Sequence, residues 1–155
     1  PILWEKKLPI KYGIYKNSIQ PSDKYELVRN SFIKAAKDWS KICNIEFKYD
    51  NSRDFDGDFN RKKIPPQGFD FMVKVRKLPD GVLARSFFPT SDINLHFIEI
   101  DYSLLSMNDK IEGVIRHELG HVMGFLHDLS GKPKDLCGPE HNSNRTASFG
   151  LDAPD

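Results

Sequence analysis

Hydrophobic residues along this chain change their spacing several times, and each change marks an element. Ile10, Tyr12 and Ile14 alternate with polar or small neighbours, which predicts a strand over 8–15. From Tyr25 the period lengthens. Tyr25, Val28, Phe32, Ala35, Ala36, Trp39 and Ile42 form one helical stripe, with Phe32 and Trp39 expected in the core. Asp23, followed three residues later by Glu26, predicts a capped start for this helix.

A short strand is expected over 45–49, then a polar loop over 50–68. Asp54, Asp56, Gly57 and Asp58 in that loop suggest calcium. An EF-hand wants glycine at its sixth place and glutamate at its twelfth, but those places hold Phe59 and Pro65, so a solvated loop is the reading. Over 69–76, Phe71, Val73 and Val75 alternate with Asp70, Met72 and Lys74, predicting a strand with one buried face. Pro79, Asp80 and Gly81 signal a turn, and further strands are expected over 82–88 and 95–101. Ile111, Val114, Ile115 and Leu119 give the apolar face of a second helix beginning near 106–109. Gly, Pro, Ser and Asn after Gly131 predict a short irregular C-terminal part, where His141 reads as an exposed loop residue. The fold class is α+β, a mixed sheet of about five strands with two long helices.

At 155 residues the length suits one domain spanning 1–155, able to bury about 68–70% of its unfolded surface. A net charge of +1, with Lys and Arg spread among matching acids, gives no case for nucleic acid as partner. No apolar stretch approaches the ~20 residues that span a bilayer. The first residue is Pro1, without an initiator Met or a signal peptide, which suits a mature or trimmed domain. Cys43 and Cys137 leave several readings open: a mutual disulfide, a partner cysteine elsewhere, free thiols, or Cys137 folded onto a metal as a latency switch.

The chemistry lies in the run HELGHVMGFLHD, residues 117–128. Residues four apart on a helix share a face, so His117 and His121 can converge on one ion. Glu118 borders that pair and can act as general base on a water held there. Continued as helix, His127 would lie ~600° of rotation and ~9 Å of rise beyond His121, on the wrong face. The helix must therefore stop. Gly124 supplies the stop, because glycine takes a left-handed conformation without a Cβ penalty, and the chain can then present His127 as third ligand. Three imidazoles at about 2.0–2.1 Å leave a fourth position for water, the open arrangement of one catalytic Zn2+ ion. Chance placement of three histidines, a glutamate and a glycine at these offsets is rare in so short a chain. Asp128 is expected to support the fold around the third ligand.

The run resembles the HExxHxxGxxH signature of the metzincin metallopeptidases, and Asp128 after the third histidine is similar to the adamalysin arrangement. The stretch Val82, Leu83, Ala84, Arg85, Ser86, Phe87, Phe88, Pro89 resembles a matrixin segment. Gly113 to His117 continues like secreted bacterial matrixin- or astacin-like proteases, and Trp39 on the first helix fits the same pattern. The resemblance implies a metzincin-like N-terminal subdomain over 1–124, with a twisted sheet on two helices, and a partial C-terminal subdomain over 125–155. It implies a secreted zinc endopeptidase, a monomer, with a propeptide or inhibitor as further partner. Its peptide or protein substrate would lie as an added strand along Val82, Leu83, Ala84, Arg85 and Ser86, with Gly113 and Val114 at a roomy pocket beside the scissile bond.

Matrixins bind a second, structural zinc partly through histidines in this region. Arg85 stands at one of those positions and only His96 matches another, so no second zinc is expected and His96 reads as a strand histidine. Metzincins also carry a methionine turn after the third histidine. Met72, Met107 and Met123 all precede His127, so either other residues replace the turn or it lies in sequence beyond Asp155, and the second is the expectation. Two alternatives to a general endopeptidase are a proteolytically inactive metal-binding or partner-binding relic and a protease toxin of narrow specificity.

Overall fold

The computed structural model describes residues 9–61 and 63–125. Its strands are β1 (Ile10–Ile14), β2 (Phe47–Tyr49), β3 (Phe71–Arg76), β4 (Ala84–Arg85) and β5 (Phe97–Asp101). The helices are α1 (Tyr25–Cys43) and α2 (Ile111–Val122). The strands form one sheet in the order β2-β1-β3-β5-β4. β1 runs parallel to β2 and β3, β3 runs parallel to β5, and β4 lies antiparallel to β5 at the edge. Parallel neighbours need a crossover, and α1 supplies the one between β1 and β2. The expected α+β class is what the chain adopts.

Ile10, Tyr12, Ile14, Phe71, Val73, Val75, Ile98, Ile100 and Ala84 face the helices and meet Val28, Phe32, Trp39, Val114, Ile115 and Leu119 in one core. Burying side chains of this size stabilises by about 1.5–3 kcal/mol each, so this layer holds α1 and α2 against the sheet.

The outer face departs from the expected alternation. Met72, placed with the polar residues by sequence, is fully buried there with Tyr15, Phe69 and Phe97. The cause is the loop over 50–68, which folds over that face and stacks Phe59 on Tyr15. Gly13 permits the close approach: a Cβ there would stand 2.9 Å from Met72 Cε and 3.1 Å from the Asp50 carbonyl oxygen.

The loop itself is not simply solvated. Asp54 is buried, and its carboxylate accepts from Ile14 N at 2.9 Å, from Tyr25 Oη at 2.7 Å and from Tyr49 Oη. Burial and the hydrogen bond to this carboxylate push the Tyr49 phenol well above its ordinary range. Asp54 is thus a tie between β1, α1 and the chain after β2.

Three boundaries differ from expectation. Asp23 does not cap α1: it sits inside the 3-10 turn Ser22–Lys24, whose backbone bonds lead into the helix, and Lys24 at the N-cap makes no side-chain capping bond. The stretch before α2 is a 3-10 turn, Tyr102–Ser106, capped by Asp101 through Ser103 N, so the α-helix starts at Ile111. The strand expected over 82–88 narrows to Ala84–Arg85, because Ser86 turns to α2 and Phe87 dips into the core.

Candidate metal centre

α2 buries its chemical residues. His117 and His121 are 4% and 3% exposed, and Glu118 between them is 0% exposed. Their four-residue spacing sets the two imidazoles on one face, with ring centroids 4.8 Å apart and planes at 89°. Two rings at right angles and this close can direct a nitrogen each at one ion.

The end of α2 fixes how His121 points. The helix closes after Val122, and Gly124 follows at φ +104°, a conformation that L side chains rarely adopt. Phe125 N donates to Gly120 O at 2.9 Å and Gly124 N donates to His121 O at 2.9 Å. These two bonds are the six-to-one and five-to-two pair of a Schellman closure. The same turn brings the Phe125 carbonyl oxygen to 2.7 Å from His121 Nδ1. A carbonyl only accepts, so Nδ1 is the protonated nitrogen and Nε2 carries the lone pair that a metal can take.

Phe125 is held in turn by α1. Its ring stacks on Trp39 with centroids 5.5 Å apart and planes at 16°, and Trp39 Nε1 donates to Arg116 O at 2.8 Å. Arg116 Nη2 stands 2.9 Å from Asp38 Oδ2 and also contacts Glu112. Burial acts to raise the Asp38 pKa, but hydrogen bonds and charge from Lys34 and Arg116 outweigh it and hold the carboxyl below its ordinary range. The first helix thereby braces the turn that orients His121. Sequence reading placed Trp39 in the core but missed this role; the signal was a hydrophobic residue directly after the helix-ending glycine.

The edge strand reaches the same place. Ser86 Oγ donates to Glu118 O at 3.1 Å, and the Phe88 ring meets His121 edge-on at 5.2 Å. Of the residues expected to meet a substrate, Val82 and Leu83 are half-buried before β4, and Ala84 faces the core, leaving its backbone to the edge. Arg85 projects from the outer face onto Glu99. Gly113 is half-buried on the first turn of α2, while the Val114 side chain lies in the core at 1% exposure.

His127, Asp128, Cys137 and His141 lie outside the described residues. Among the described residues no three His, Cys, Asp or Glu gather as a metal-binding set. The pair that is described fits zinc in donor chemistry, being imidazoles with one ring already oriented through its other nitrogen. His96 differs: its Nδ1 lies 3.1 Å from Asp70 O and its Nε2 lies 2.9 Å from Ser91 O, so both ring nitrogens tie loops beside β3 and β5. Cys43, at the end of α1, is disulfide-bonded.

Comparison with known proteins bears on the same region. A solved structure of myroilysin has a TM-score of 0.51 at 19% identity, over 80% of this chain and 46% of that one. A chain in the structure of a chaperone-substrate complex has a TM-score of 0.53 at 14% identity, over 79% of this chain and 25% of that one. At these identities the likeness is one of fold, and this chain spans less than half of either. No curated protein matches it in sequence. The family model described as Matrixin matches residues 3–155, so the chain belongs to the matrixin family of metallopeptidases.

Proposed function

We propose that the protein is a zinc endopeptidase in which His117, His121 and His127 hold the ion and Glu118 is the general base. When bound, zinc supplies polarisation of the scissile carbonyl and lowers the pKa of the attacking water. Glu118 takes a proton from that water as it attacks the carbonyl carbon, then returns it to the leaving nitrogen. The substrate lies along the outer edge of β4, its main chain bonded to the backbone at Val82, Leu83, Ala84, Arg85 and Ser86. Gly113, without a side chain, leaves room for a bulky residue next to the scissile bond, and Asp128 supports the turn around the third ligand.

The observation that carries this reading is the fixed orientation of His121. Its Nδ1 is committed to the Phe125 carbonyl beside His117 and Glu118 on one helix. Ser86 supports it further, since its bond to Glu118 O couples the edge strand to the helix of the site. Secretion follows the family habit and agrees with a disulfide at Cys43, a bond kept in oxidising compartments. No described helix is long and apolar enough to cross a membrane.

The test is hydrolysis of quenched fluorescent peptides and casein with zinc supplied, then removed by a chelator. Zinc-dependent cleavage supports the reading. A chain that binds zinc and cuts no peptide is a relic, and one that cuts a single protein in a cell lysate but no generic peptide is a narrow-specificity protease.

A further inference from the structure

On the outer face of the sheet, register sets charged residues in a row. Lys74 on β3 pairs with Glu99 on β5, and Glu99 pairs with Arg85 on β4. Among the described residues the row reads cation, carboxylate, cation, and it ends on the edge strand β4. Glu99 is shared: Arg85 Nη2 stands 3.0 Å from its Oε1 and Arg76 Nη1 stands 3.0 Å from its Oε2. A cavity of about 580 Å³ opens over this row; among the described residues that line it are Lys63, Lys74, Arg76 and Arg85, with Glu99 as the one carboxylate. Among the described lining residues four cations face one acid in a partly enclosed space, an excess of positive charge on this face. Burial pushes the Lys74 ammonium below its ordinary range against the pull of Glu99, and nearby Arg76 pushes the same way.

We infer that the peptide strand added to β4 carries an acidic side chain directly opposite Arg85, and that Arg85 selects for it. The inference rests on the proposed endopeptidase reading, in which β4 holds the substrate. Side chains on one face of neighbouring strands stand about 4.5–5.5 Å apart at Cβ when directly opposite, and opposite charges there attract. The residue of the added strand beside Arg85 therefore continues the row, and an acid continues its alternation of sign. The Arg85 guanidinium has donors to give: it presents five N–H groups, of which those on Nε and Nη2 point at one oxygen of Glu99. With 42% of its side chain exposed, it can reach a second carboxylate.

The experiment is cleavage of a proteome-derived peptide mixture by the zinc-supplied full chain, with cut sites read by mass spectrometry. Asp and Glu should be enriched at a single position. Paired synthetic substrates differing only there should favour Glu over Gln by about threefold in kcat/KM, the size of one opposite-charge cross-strand pair. Arg85→Gln should abolish the preference and Arg85→Glu should turn it towards Lys. High salt should flatten the preference of the unaltered protein, a readout that needs no variant to fold. Cleavage without acidic enrichment, or enrichment that salt and Arg85→Gln leave unchanged, overturns this inference and spares the endopeptidase. Absence of all cleavage overturns both.

Discussion

The two helices are built for different work. α1 buries one stripe and carries charge on its flank, where Lys34 Nζ, about half exposed, pairs with Asp38 Oδ1 at 2.8 Å. α2 is shorter, and from His117 to Val122 every residue is buried, ionisable ones included. A helix that only supports a sheet has no reason to bury two imidazoles and a carboxylate, because taking ionisable groups out of water costs free energy. α1 shows what support requires, and α2 shows what remains once support is subtracted: a site. The join between them is Trp39, with one ring on Phe125 and one N–H on Arg116 O.

Substitutions can break this contrast at graded cost. The largest effect is expected from Glu118→Ala, which should retain zinc and lose ~10²–10⁴-fold in peptide hydrolysis, the share ascribed to acid–base catalysis. Near-normal turnover in that variant would remove the proposed base. Next is Phe125→Ala, which deletes a buried ring and should cost about 3–5 kcal/mol by chemical denaturation, with zinc affinity falling because the His121 brace loosens. Gly124→Ala forces a side chain into a positive φ and should cost about 1–2 kcal/mol in the same assay. Trp39→Phe keeps a stacking ring but removes the indole N–H that Arg116 O accepts in addition to its place in the helix. A loss of about 0.5–1.5 kcal/mol is expected, the net worth of one hydrogen bond, together with weaker zinc binding. The smallest effect belongs to the exposed face of α1, where Lys34→Ala should change stability by less than about 0.5 kcal/mol and leave hydrolysis unaltered.

Acid separates the helices in another way. Asp38 titrates below its ordinary range when folded, so its pairing stabilises the fold above the unfolded value and is lost as pH falls through the folded one. Activity should fail earlier, since imidazole ligands must be neutral to hold a metal. Parallel pH titrations of hydrolysis and of unfolding check the order: activity should fall at higher pH than stability.

What the sequence disclosed was mostly what is local. The helical stripe of α1, the HExxH pair on one face and the glycine stop all depend on residues within a few turns of each other, and the structure has them in those places. What it hid depends on distant partners. Asp54 read as part of a solvated loop because its donors sit on Ile14, Tyr25 and Tyr49, remote in pattern from an acidic run. Met72 read as outward-facing because nothing nearby announced that a loop would cover it. The strand after Val82 read too long because its end is decided by Ser86 reaching across to Glu118 O. The brace on His121 was hidden for the same reason, since Trp39 and Phe125 lie far apart in the chain.

The most direct test of the central claim is metal content and coordination, measured by elemental analysis and X-ray absorption on the zinc-supplied chain and on His121→Ala. The account predicts one zinc per chain with imidazole nitrogens at about 2.0–2.1 Å, and its loss in the variant. A chain that takes up no zinc, or one whose zinc is held unchanged when His121 is removed, would contradict it.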